Sequence, residues 1–178
     1  MTHLRLWRDS DAAALLDAAR TTADLDTQLG GAMIDTLDAA RSFIAEQLTS
    51  TDAMRDWAIV HDDAVVGNVG LSAIEHRHKT AWAFYWLAGA ARGRGLATRA
   101  LVAASDWAFA QGVFRIELGH RVNNPASCAV ARRAGFLAEG IERQKLAYGD
   151  ERFDVELHAR LATDPVPDID GLALTDEA

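Results

Sequence analysis

Arg92-Gly93-Arg94-Gly95-Leu96-Ala97 stands between an aromatic strand pattern, Thr80 to Leu87, and an alanine-rich helical pattern running to about Gln111. A glycine-rich turn that opens a helix aims several backbone N–H groups at one spot. The helix dipole makes that spot favourable for an anion. Gly93 and Gly95 let the backbone approach a ligand closely, and Arg92 and Arg94 add positive charge. The turn reads as a phosphate or pyrophosphate cradle. It is not a Walker loop, because Leu96-Ala97 stands where Lys-Ser/Thr is needed. It fits a dinucleotide fingerprint poorly, since Thr98 takes the third small-residue position and no βαβ unit begins the chain.

Upstream, Asp9-Ser10-Asp11 offers N-caps for a helix through Ala12, Leu15, Leu16 and Ala19. Thr21 to Thr36 is loop-like with a short helix, and a second helix runs from Leu37 to about Leu48 with one apolar face. Trp57-Ala58-Ile59-Val60 and Ala64 to Leu71 are strands joined by the hairpin turn His61-Asp62-Asp63. Downstream, Gly112 ends the alanine-rich helix and Val113 to Val122 is a strand. Asn123-Asn124-Pro125 starts a short helix that Gly135 ends, and a final strand pair turns at Tyr148-Gly149-Asp150-Glu151. Helices first, then strands with two inserted helices, make an α+β chain with a mixed sheet flanked by helices.

The 178 residues suit one domain, and 49% hydrophobic content supports a buried core. One cysteine, Cys128, excludes an internal disulfide framework and fits a reducing cytoplasm. No signal-peptide pattern opens the chain and no apolar run reaches membrane-spanning length, so a soluble cytoplasmic protein without membrane contact is expected. A formal charge of −8 argues against nucleic acid as partner and could steer cationic substrates. From Thr163 the chain has five acids, two of the three prolines and no Lys or Arg, so 163–178 reads as a disordered acidic tail behind a domain at 1–162.

Trp82-Ala83-Phe84-Tyr85-Trp86-Leu87, followed by a short loop and Arg-Gly-Arg-Gly-Leu-Ala-Thr, resembles the signature of the GNAT acetyltransferases. Asn124-Pro125-Ala126-Ser127, then Ala134-Gly135-Phe136 and Glu139-Gly140, resembles the second signature of their RimJ/RimL-like branch. The opening Leu4 to Asp11 is also similar to that branch, and the resemblance spans roughly residues 3 to 161. It implies a mostly antiparallel sheet of six or seven strands, about four helices, and fourth and fifth strands that splay apart around the cofactor arm. It also implies acyl transfer from acetyl-CoA, as co-substrate, to a primary amine on a protein, peptide or small molecule. No metal is expected, and a homodimer is common in the branch. In this reading Trp86, Leu87 and Ala88 border the pantetheine arm. Arg92, Gly93, Arg94, Gly95, Leu96, Ala97 and Thr98 cradle the pyrophosphate. Asn124 touches the arm, and Ser127 sits near the sulfur.

Amide formation from a thioester needs a neutral amine, stabilisation of an oxyanion and protonation of the leaving thiolate. A backbone N–H near Leu87 is the family's oxyanion donor. Its usual tyrosine acid falls at Ala131, which leaves Ser127 either as the acid or as a helix-start hydroxyl. Trp82 and Leu146 stand where carboxylate bases would be. The remaining base candidates are Glu75, His76, His78 and His120, each equally readable as hairpin-tip or strand-end polarity. Cys128 near a helix start raises a covalent acyl-enzyme as a minor rival. His76-x-His78 has no third ligand at metal-binding spacing. The alternatives to acetyl transfer are a non-catalytic CoA sensor of the same fold and a transferase for a larger acyl-CoA such as succinyl-CoA.

Overall fold

The computed structural model describes residues 1–175. One mixed sheet carries the chain. Its strands are β1 (Thr2–Leu6), β2 (Arg55–His61), β3 (Ala64–Glu75), β4 (Thr80–Leu87), β5 (Arg115–Arg121), β6 (Leu137–Tyr148), β7 (Glu151–Leu161) and β8 (Ala173–Leu174). Their spatial order is β6-β7-β5-β4-β3-β2-β1-β8. All neighbours are antiparallel except β4 with β5 and β1 with β8.

Two apolar layers cover the sheet. On one face α1 (Ala12–Thr21), α2 (Leu25–Gln28) and α3 (Leu37–Gln47) bury Leu15, Leu16, Leu25, Ala40 and Ile44 against Ala58 and Trp86. On the other, α4 (Leu96–Ala110) and α5 (Pro125–Arg133) pack on Ile59, Val69, Leu71, Ala83 and Leu118. The two-residue period of the strands makes this possible: Tyr85 and Leu87 belong to the α4 face and Trp86 to the α1 face.

One irregularity positions everything else. β4 and β5 pair only at Thr80–Trp82 with Arg115–Glu117, and beyond that point the parallel ladder stops. β5 keeps its full pairing with β7 from Arg115 to Arg121. The second half of β4 therefore presents an unpaired edge to a gap, as the splayed pair of the sequence reading requires.

The disordered tail is corrected for the described residues. Leu172 is buried in the core, Ala173–Leu174 adds β8 to β1, and Thr175 donates its amide to the Leu4 carbonyl at 3.0 Å. Gly171 makes this fit, because a side chain there would meet the Ala103 backbone at 3.0 Å. Acid content predicts solvation, but Leu172, Ala173 and Leu174 supply an apolar anchor among the acids. Residues 176–178 of the expected tail lie outside the described residues.

Candidate active site

The glycine turn forms as its sequence demands. Gly93 and Gly95 sit at φ +77° and +74°, where a side chain is strained, and Gly95 is the N-cap of α4. No atom lies within 4 Å of the place a Cβ would take at either glycine, so the surface of the turn is open. The amides of Leu96, Ala97 and Thr98 start the helix and have no acceptor within it. Backbone donors and an open glycine surface fit a pyrophosphate.

Both arginines of the turn have partners within the protein. The Arg92 guanidinium forms a two-pronged pair with Asp24 at 2.8 and 3.1 Å and donates from Nε to the Leu87 carbonyl at 3.1 Å. It ties the loop before α2 to the end of β4. The Arg92 guanidinium in turn holds the Asp24 carboxyl below its ordinary range. Arg94 reaches toward His61, with 3.4 Å between Nη1 and Nε2.

Along β4, peptide groups alternate between β3 and the gap. The Ala88 amide donates to Val66 of β3 at 2.9 Å, and Trp86 pairs with Asn68 of β3. Those two positions turn their backbone away from the gap, and the Trp86 ring lies on the α1 face against Trp7, 6.0 Å between centroids. By the same alternation, the amides of Leu87 and Tyr85 face the gap. Of the three positions read as bordering the arm, only Leu87 turns its backbone amide to the gap, where that of Tyr85 joins it.

At the far side of the gap α5 begins. Asn124 is its N-cap, and its side-chain oxygen accepts from the Ser127 amide at 3.1 Å. Ser127 Oγ lies 2.7 Å from the Tyr85 hydroxyl, which is also 3.2 Å from the Ser127 carbonyl. This contact joins β4 to α5 across the gap. Burial pushes the Tyr85 phenol up to about 12, so it stays protonated, even though the Ser127 hydrogen bond works in the opposite direction. Ala131, at the usual tyrosine position on α5, is buried in the core, and the phenol beside Ser127 is that of Tyr85, from β4.

Next to Ser127, Cys128 Sγ lies 3.5 Å from Glu156 Oε2. Burial, and then the Glu156 carboxylate, raise the thiol above its ordinary range, which opposes a nucleophilic cysteine. His120 is not a solvated strand end. It is buried, with Nε2 3.0 Å from His158 Nε2. Glu156 is held low, chiefly by its hydrogen bond with His158. Neither Glu156 nor His158 stood out in the sequence; only the β5–β7 register and the seat of α5 bring them to His120.

Glu75 is not brought to the gap. Its carboxylate accepts from the amides of Arg77 and His78 at 2.8 and 2.6 Å, which closes the β3–β4 hairpin. These donors hold it below the ordinary range, the wrong direction for a base at neutral pH. It pairs with Thr80, at the end of β4 opposite Leu87, roughly 20 Å away along the strand. A surface cavity of about 470 Å³ lined by Glu75, His76 and Trp107 lies at that end too, remote from the splayed gap.

Residues 2–137 match the acetyltransferase (GNAT) domain family. The chain belongs to the GNAT acetyltransferase family. A ribosomal-protein-serine acetyltransferase of Escherichia coli (strain K12) is 36% identical over 106 residues, which are 59% of each chain. The GNAT chain thus spans under two thirds of that curated relative. Among solved structures, a RimL ribosomal L7/L12 α-N-protein acetyltransferase in complex with coenzyme A superposes with a TM-score of 0.81 at 25% identity, covering 90% of this chain and 93% of the other. Mycobacterium smegmatis RimJ in complex with CoA-disulfide gives 0.80 at 28% identity, covering 90% and 82%. The splayed β4–β5 gap and the glycine turn of α4 belong to this GNAT domain.

Proposed function

We propose that the chain transfers an acetyl group from acetyl-CoA to the α-amino group of a protein or peptide, by direct attack of the amine on the thioester. The observation that carries this reading is the gap itself. It is bounded by the open glycine turn of α4, the free β4 edge at Tyr85 and Leu87, and the Ser127–Tyr85 hydroxyl pair. The names of relatives that act on ribosomal proteins or were solved with coenzyme A support the same donor and acceptor class.

Acetyl-CoA supplies the acyl group as a thioester, and the turn Gly93–Thr98 would hold its pyrophosphate. The Leu87 and Tyr85 amides offer hydrogen bonds to negative charge developing on the carbonyl oxygen. Ser127, backed by the protonated Tyr85 phenol, supplies a proton to the departing sulfur. Trp82 and Leu146 leave both usual base positions without a carboxylate. An acceptor whose own pKa is low then reacts best. At pH 7.5 roughly a third of an α-amine is neutral, against about one in a thousand for a lysine ε-amine.

Thiol release and mass spectrometry with purified protein, acetyl-CoA and a serine-initiated peptide provide the test. Acetylation of the free N-terminus is expected, with an internal lysine of an N-blocked peptide about a hundredfold slower. Binding of CoA without turnover on any amine would replace this reading by a sensor. Preference for succinyl-CoA would change the acyl group. A cytoplasmic location and a homodimer belong to the same proposal, the latter read by sedimentation.

A further inference from the structure

His120, Cys128, Glu156 and His158 come from three elements and meet at one point. In the β5–β7 register His120 lies opposite Glu156, and His158 follows two residues later on the same face. α5 covers that face and contributes Cys128. One potential ligand atom from each of the four lies within 4.8 Å of all the others.

Four of the six separations are short. His120 Nε2 to His158 Nε2 is 3.0 Å, His158 Nε2 to Glu156 Oε2 is 2.9 Å, and His120 Nε2 to Glu156 Oε2 is 3.4 Å. Cys128 Sγ to Glu156 Oε2 is 3.5 Å. A tetrahedral zinc with ordinary bond lengths to nitrogen, oxygen and sulfur places its ligand atoms about 3.3 to 3.6 Å apart. The widest separation among the four atoms is within 4.8 Å, so closing on such an ion needs a shift of about an ångström, which a Cys128 rotamer change can supply.

The outer contacts point the same way. His120 Nδ1 faces the Arg121 carbonyl at 3.0 Å, and His158 Nδ1 faces the Phe136 carbonyl at 3.4 Å. A carbonyl only accepts, so each Nδ1 carries hydrogen, while the hydrogen bond from His158 Nε2 to Glu156 places a further proton where a metal ion would sit. Two ring nitrogens and a carboxylate oxygen thus converge beside the Cys128 thiol, which also lies near the Arg132 guanidinium. Backbone carbonyls that fix the tautomer in this way are what ligating histidines use. His120 and His158 are buried, while the Glu156 side chain retains 22% exposure and leaves a path of entry.

We propose that these four side chains form a tetrahedral site for zinc or a divalent cation of similar borderline softness, with Cys128 bound as thiolate; its proton and the one between His158 and Glu156 are released to solvent. The acyl transfer proposed above requires no metal. The site is an addition to this chain, and it stands or falls independently of that reaction.

Cobalt(II) titration of chelator-treated protein reads the site directly. One equivalent should develop the intense visible bands of four-coordinate cobalt together with a thiolate charge-transfer band, and zinc should bleach both. Cys128→Ser should lose the charge-transfer band, and His158→Gln should weaken binding at least about tenfold. Circular dichroism of the metal-free variants checks folding. If His158→Gln does not fold, the half-buried Cys128→Ser still decides. Absence of a one-to-one complex, or a cobalt spectrum unchanged by Cys128→Ser, would overturn the site and leave a proton shared by His120, His158 and Glu156. Calorimetric CoA binding by the same metal-free protein tests the transferase reading separately.

Discussion

In the proposed reaction Ser127 and Tyr85 divide one task between them. The serine hydroxyl reaches the gap, and the phenol 2.7 Å behind it is buried and protonated. Ser127→Ala is expected to lower kcat about tenfold to a hundredfold with little change in KM for acetyl-CoA. That is the low end for general acid catalysis, because a thiolate leaves tolerably without help. Tyr85→Phe should cost less than Ser127→Ala, and the double variant no more than Ser127→Ala alone. Steady-state kinetics of the three variants checks this; additive losses would mean that the residues act separately. Ser127 was legible from its spacing to Asn124, whereas Tyr85 was legible only as the residue opposite in facing to Trp82, Phe84 and Trp86. Which atom a side chain meets across a gap is not written in strand periodicity. His120 shows the same limit: its neighbours arrive from β7, more than thirty residues away.

Elements fix where these side chains can go, and two of them carry testable strain. Gly95 caps α4 at φ +74° with open space where a Cβ would lie, so Gly95→Ala introduces backbone strain and no clash. It should cost about 1 kcal/mol of stability by urea unfolding. It should also weaken calorimetric CoA binding several-fold, because the first turn of the helix must shift. An unchanged CoA affinity would remove the turn from the site. Between β2 and β3, Trp7 Nε1 donates to Asn68 at 2.7 Å, and Asn68 donates to Asp56 at 2.9 Å. The second Asp56 oxygen has no partner, and burial pushes its carboxyl up to about 7. The native state therefore keeps a proton that the unfolded chain, titrating near 3.8, has released. The native state binds more protons between those values, so stability falls as pH rises from about 4 to about 7. Urea unfolding at pH 5 and pH 8 should show Asp56→Asn losing less stability over that interval than wild type, by on the order of 2 kcal/mol. Equal losses would place the carboxyl in an ordinary environment.

At the scale of the molecule, most of the fold was legible because its punctuation is chemical. Asp62-Asp63 turns the β2–β3 hairpin with both residues at positive φ, Gly112 and Gly135 follow helix ends, and Pro125 opens α5. What escaped was long-range: the segment after Thr163 reads as solvated by composition, yet it closes the sheet. Leu172 N donates to the Arg99 carbonyl at 3.2 Å, Arg99 Nε donates to the Asp170 carbonyl at 3.2 Å, and β8 pairs with β1. Arg99 lies four positions after the glycine cap of α4, so this strap braces the helix that opens at the glycine turn. Truncation after Asp164 exposes the pocket of Leu172, at about 2 kcal/mol for the lost burial. The strap's hydrogen bonds add roughly 1 kcal/mol more. The truncated chain should therefore unfold about 3 kcal/mol more easily in urea. Gly171→Ala should reproduce part of the loss, since its Cβ meets the Ala103 backbone at 3.0 Å. A detached acidic tail would leave the unfolding midpoint unchanged in both proteins, so this pair of measurements decides whether residues 165–175 belong to the domain.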